Sequence, residues 1–177
     1  INSGTLELQL DPQAPLVGMV RGISVISGFF PSLTPPPLRI ENSATGIIRS
    51  SADGVWGIEA TNRPVTIVNA GLIELANAQG ARGITVLGDA GIVAGSYVGL
   101  NQIENSGTIN VSGADAYGFF GQFELVRPSD PALPDTRLSS TGIMSASGDG
   151  STGIFVSHDN ALGRVSLDLA PNSVVSR

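Results

Sequence analysis

Cysteine is absent from the 177 residues, which excludes a disulfide framework, a thiolate metal site and a cysteine nucleophile. Lysine is absent too, so all nine basic residues are arginines, scattered along the chain. With a net charge of −6 and a pI near 4.5 there is no basic surface for a phosphate backbone, and nucleic acid is excluded as a partner. Charged residues make up only 14%, against roughly 25% in ordinary domains, so Ser, Thr, Asn and backbone groups must carry most of the solvation. No apolar run reaches the ~18 residues of a membrane helix, and no basic-then-hydrophobic leader follows residue 1. Membrane insertion by this segment is not expected.

What is present is punctuation. Glycine at 23 and proline at 11 interrupt the chain too often for long helices, and β-branched residues cluster in short runs between them. The length suits one domain, 1–177, and the pattern reads as all-β.

Aligning the chain with itself reveals five imperfect repeats. The run from Ala44 to Ile58 matches the run from Ser140 to Ile154 without a gap, at a constant offset of 96. Related units open at Asn2-Ser3-Gly4, Asn69-Ala70-Gly71 and Asn105-Ser106-Gly107. Taking Asn2, Ser43, Asn69, Asn105 and Ser139 as polar corners, the Gly before a second apolar pair follows 20, 14, 14, 13 and 14 positions later, at Gly22, Gly57, Gly83, Gly118 and Gly153. The long first interval contains an inserted Asp11-Pro12-Gln13-Ala14-Pro15.

Each unit therefore offers three short strands. One follows the corner, one follows the Gly, and a third precedes the next corner through Leu38/Ile40, Val65/Ile67, Ile103, Leu138 and Val165/Leu167. Alternation sends Ile73, Leu75, Ile84 and Val86 inward and leaves Glu74 and Thr85 outside. One unit holds too few apolar residues to offset chain entropy, so the units must stack to share a core. The expected fold is a parallel β-solenoid of about five three-strand rungs, each strand pairing with its equivalent ~4.8 Å away. A β-sandwich is the rival, but its strands need not resemble one another in sequence. The stacked corner residues are expected to form a polar ladder that satisfies backbone groups left free by the bend.

The pattern Asn-Ser-Gly-Thr-Ile-Asn-Val at Asn105–Val111, with a Gly and an apolar pair following, resembles the passenger repeats of bacterial autotransporters and related secreted adhesins. The resemblance runs from Asn2 to about Leu169. It implies a single-stranded, right-handed parallel β-helix exported across the outer membrane and displayed on the bacterial surface or released. It further implies a fragment of a longer passenger, with a non-enzymatic role in adhesion or self-association through rung ends. A host or bacterial surface protein or glycan is the implied partner. The competing readings are a carbohydrate-active β-helix enzyme and a structural fibre or filament stalk.

β-Helix enzymes of polysaccharides keep carboxylates close together on an outer face. The outward rows are expected to be Glu7, Ile48, Glu74, Asn110, Met144 on the first strand; Ser24, Glu59, Thr85, Phe120, Phe155 on the second; and Arg39, Thr66, Gln102, Arg137, Ser166 on the third. None places carboxylates on neighbouring rungs. Glu41 and Glu104 share a corner position but stand two rungs apart, with Val68 between. His158-Asp159 lies in a polar stretch without a nucleophile signature, and Asp53-Gly54, Asp149-Gly150, Asp89 and Asp115 read as turn chemistry before calcium. No catalytic residue, cofactor or metal is assigned.

Partner contacts are expected instead on insertions between second and third strands, about 27–38 and 124–137, both proline-rich. The candidate contact residues are Phe29, Phe30 and Arg127 in these loops, with Trp56 and Tyr117 just before a second-strand Gly.

Overall fold

The computed structural model describes residues 1–9, 20–26, 38–61, 65–88, 92–93, 96–97, 101–123, 136–158, 165–170 and 174–176. They form strands and turns arranged as rungs. The first rung comprises β1 (Thr5–Leu8), β2 (Arg21–Ile26) and β3 (Leu38–Asn42), and the second β4 (Ile47–Ser50), β5 (Trp56–Thr61) and β6 (Val65–Asn69). The third holds β7 (Leu72–Leu75) and β8 (Arg82–Leu87), then a small antiparallel hairpin of β9 (Ile92–Val93) and β10 (Ser96–Tyr97), then β11 (Asn101–Asn105). The fourth is β12 (Thr108–Ser112), β13 (Tyr117–Phe123) and β14 (Thr136–Ser140); the fifth is β15 (Ile143–Ser147), β16 (Thr152–His158) and β17 (Val165–Leu169). A last strand, β18 (Val174–Ser176), begins a sixth turn.

Equivalent strands stack into three parallel sheets, ordered β1-β4-β7-β12-β15-β18, β2-β5-β8-β13-β16 and β3-β6-β11-β14-β17. This is a β-solenoid with three strands per rung, and the sandwich alternative is set aside because every pairing outside the small hairpin is parallel between repeats. The offset of 96 found in the sequence is three rungs of climb, since Ile47 pairs Leu72, Leu72 pairs Thr108 and Thr108 pairs Ile143.

The core is a set of inward ladders. Ile48, Ile73, Ile109 and Met144 stack from the first sheet, Ile58, Ile84 and Phe119 from the second, and Ile40, Ile67, Ile103 and Leu138 from the third. Two expectations need correcting here. The outward first-sheet row is Glu7, Arg49, Glu74, Asn110, Ser145, not one running through Ile48 and Met144, both of which are fully buried. Ile143, by contrast, is 45% exposed. Ile47-Ile48 and Ile143-Met144 are apolar at both positions, so alternation alone did not choose a face, and a slip of one residue exchanges the faces.

The second correction concerns the corners. The ladder residues are Asn2, Asn42, Asn69, Asn105 and Ser140, one position before Ser43 in the second rung and one after Ser139 in the fifth. The interval to the Gly is then 15 from Asn42 and 13 from Ser140, so the equal spacing was partly a product of the chosen corners. The turn Ser43-Ala44-Thr45-Gly46 is two residues longer than Ala70-Gly71, and the stretch from Ile47 to Gly57 is one residue shorter than that from Leu72 to Gly83, which leaves the interval one longer.

Glycines sit where rungs approach most closely. A Cβ on Gly107 would collide with the carbonyl oxygen of Gly71, and one on Gly83 would lie 2.6 Å from the Gly118 oxygen and 2.5 Å from Ile109 Cγ2. The Asn-x-Gly signature thus records two stacking demands, an amide for the ladder and a missing side chain beside it.

Candidate functional site

Three groups of polar or aromatic residues stand out from the regular frame, and the corner ladder comes first. Asn2 Nδ2 donates to Asn42 Oδ1, Asn42 Nδ2 to Asn69 Oδ1, and Asn69 Nδ2 to Asn105 Oδ1, each at 2.8 Å. Asn105 Nδ2 closes the run on Ser140 Oγ at 3.2 Å and also donates to the Ile143 carbonyl at 3.2 Å. Asn42, Asn69, Asn105 and Ser140 are buried, so each amide is used up inside the solenoid and none is presented to a ligand.

The second group lies on the outward side of the second sheet. Register places Arg21, Trp56, Arg82 and Tyr117 in one column and Ser24, Glu59, Thr85, Phe120 and Phe155 in the next. Arg82 lies over Phe120 at 3.6 Å from the ring centroid, over Trp56 at 4.6 Å and over Tyr117 at 5.8 Å. Phe120 and Phe155 stack at 5.0 Å, and Tyr117 meets both edge-on. Burial pushes the Arg82 guanidinium below its ordinary pKa, while Tyr117 and Glu59 pull the other way. Glu59 is paired with Arg21 and accepts from Ser24 Oγ at 2.7 Å and Thr61 Oγ1 at 3.2 Å.

The middle of this group is packed rather than open, while Arg21, Arg82, Tyr117 and Phe155 are half-buried. Trp56 is 5% exposed and Glu59 2%, although both point away from the core. Little of the Trp56 ring is therefore left to stack on a sugar, and its energy goes into contacts of about 1 kcal/mol each with the two arginines. Sequence reasoning singled out Trp56 and Tyr117 but missed Arg21 and Arg82. The signal was there, because the residue before the second-strand Gly alternates Arg, Trp, Arg, Tyr over four rungs.

The third group is a groove of about 600 Å³ on the first sheet, beside the turn after β4. Glu7, Arg49 and Glu74 line it from three successive rungs, joined by Gln9, Ser51 and Asp53. Arg49 stands between two carboxylates, yet among the described residues it makes no ion pair within 4 Å, and its Nε is shielded from water without a hydrogen-bond partner. Asp53 is held by the Gln79 backbone N–H, which donates to Oδ1 at 2.8 Å. The misassigned face of Ile48 hid this site, since the true row puts Arg49 there.

The remaining residues are placed as follows. Glu41 and Glu104 stand two rungs apart about Val68 as expected; Glu41 pairs with Arg39 at 3.2 Å, and Glu104 accepts from Gln102 Nε2 at 2.5 Å. Asp53-Gly54 and Asp149-Gly150 form turns in which each glycine has positive φ, and Asp115 has φ 54°. Among the described residues no group of three or more His, Cys, Asp or Glu is arranged to hold a metal ion. The His158 backbone ends β16 opposite Phe123. Phe29, Phe30, Arg127, Asp89 and Asp159, with nearly all of both proline-rich insertions, lie outside the described residues.

No protein-family model, curated protein or solved structure matches this chain.

Proposed function

We propose that the chain is a non-enzymatic segment of a bacterial passenger or adhesin, wound as a right-handed β-helix and displayed at the cell surface or secreted. The observation that carries this reading is the fate of the polar side chains. The amides most suited to bind a ligand are consumed in a ladder running through five rungs, and in the aromatic and arginine column Trp56 and Phe120 are buried against half-buried Arg82. Such a frame serves to extend and to present. Leu167 and Leu169 continue inward rows on β17 but are 52% and 42% exposed, which supports stacking of further rungs, from this chain or another, on that edge.

The second reading, a carbohydrate-active enzyme, draws on one feature. Glu7 and Glu74 stand two rungs apart, about 9.6 Å at ~4.8 Å per rung, close to the upper separation of an inverting carboxylate pair. Arg49 between them occupies the space such a pair keeps for water.

Both readings are tested together by coating beads with the protein, measuring their retention on cultured cells and on bacterial lawns, and incubating the protein with acidic and neutral polysaccharides. Retention above uncoated beads, or self-association by light scattering, with no new reducing ends or unsaturated sugars, is expected. Release of sugars would replace the scaffold reading with the enzymatic one. Absence of both retention and self-association would remove the adhesin reading.

A further inference from the structure

In the groove on the first sheet, charged side chains of both signs from successive rungs are left without close protein partners among the described residues. Glu74 has no hydrogen bond or ion pair among the described residues, Glu7 has only a long contact from Gln9 Nε2 at 3.4 Å, and Asp53 uses one oxygen on the Gln79 backbone N–H. Arg49 is equally unpaired, whereas Arg21, Arg39 and Arg137 each hold a carboxylate. A volume of about 600 Å³ falls within the range of ligand sites, roughly 300–1,000 Å³.

The chemistry of the lining selects the ligand class. Three carboxylates against one guanidinium give the groove an excess of acceptors and of negative charge. A uronate, sulfate or phosphate would be repelled by that excess. Hydroxyl groups both donate and accept, so vicinal hydroxyls can donate to the carboxylates and accept from Arg49. Glu7 and Glu74 are about 9.6 Å apart along the stacking direction, more than one sugar ring spans.

We propose that this groove binds a neutral, hydroxyl-rich oligosaccharide of at least two units, lying along the solenoid axis. The inference rests on the non-enzymatic display reading and gives it a ligand class and a place, on the flank of the rungs.

The test is an array of neutral, uronate and sulfated oligosaccharides plus a basic peptide, followed by calorimetric titration of each bound compound. Arg49→Gln and Glu74→Gln are compared with Arg137→Gln, which lies on the third sheet, and thermal melting verifies folding. Binding of neutral oligosaccharides is expected, weakened at least tenfold by either groove variant and unchanged by Arg137→Gln. Binding of none of them, binding only of anionic glycans or of the basic peptide, or insensitivity to both groove variants overturns the site and leaves the display reading standing. Binding as expected but accompanied by cleavage supports the site and overturns the non-enzymatic reading.

Discussion

Asn69→Ala is expected to destabilise the protein by about 3 kcal/mol, because it breaks two buried amide hydrogen bonds whose remaining partners lose about 1–3 kcal/mol each. Asn42 Nδ2 keeps only a long contact to the Leu72 carbonyl at 3.4 Å and Asn105 Oδ1 loses its donor, both inside the solenoid. Asn2→Ala, at the half-exposed start of the ladder, removes a single cross-rung amide pair and should cost only about 1 kcal/mol. Asn69→Asp should not restore stability, since it keeps an acceptor but loses the donor and adds a buried charge. Urea unfolding of the three variants measures this. Equal effects at Asn69 and Asn2 would mean the interior of the ladder contributes no more than its end.

Phe119→Ala is expected to cost about as much, roughly 3–5 kcal/mol. Phe119 is fully buried in a row otherwise filled by Ile23, Ile58, Ile84 and Ile154. The next inward row compensates for the larger ring, holding Val25, Ala60, Val86 and Val156 but Gly121 in the Phe119 rung. A Cβ on Gly121 would lie 3.1 Å from Phe119 Cε1 and 2.8 Å from Phe123 Cε2. Gly121→Val alone should therefore overpack the core by about 1–3 kcal/mol, and Phe119→Ile alone should leave a void. Combined, the two restore the composition of the other rungs and should cost at least about 1 kcal/mol less than their sum. Strict additivity would show that the exchange of volume between these rows is not what fits Phe119 into the stack.

Most of the frame was legible because repetition exposes itself. The third-strand rows through Ile40, Ile67, Ile103 and Leu138 were assigned correctly, since polar residues flank Ile40, Ile103 and Leu138 on both sides, and alternation through Val65, Thr66 and Ile67 settles the one rung where Val68 adjoins. The first-strand row failed where two apolar residues adjoin, and the cost was functional as well as geometric. Choosing Ile48 as the outward residue concealed Arg49 and with it the charged groove. The corners failed differently, because Asn42-Ser43 and Ser139-Ser140 offer two polar residues side by side, and the turn length that separates them is not periodic. The outward burial of Glu59 and Thr85 was not legible at all. Alternation says which way a side chain points from its sheet, but not whether another part of the chain shields that side.

The central claim is the register of stacked rungs, and the absence of cysteine makes it directly testable by paired cysteines. Asn110 and Ser145 are outward partners on β12 and β15, separated by about 4.8 Å at Cα, inside the 4.4–6.8 Å range of a disulfide. Met144 is one residue away in sequence but fully buried on the opposite face. Under mild oxidation, Asn110→Cys with Ser145→Cys should form an intramolecular disulfide, whereas Asn110→Cys with Met144→Cys should remain reduced until the protein is unfolded. Cross-linking of the Met144 pair in preference to the Ser145 pair would contradict the register, and with it the ladder, the inward rows and the groove.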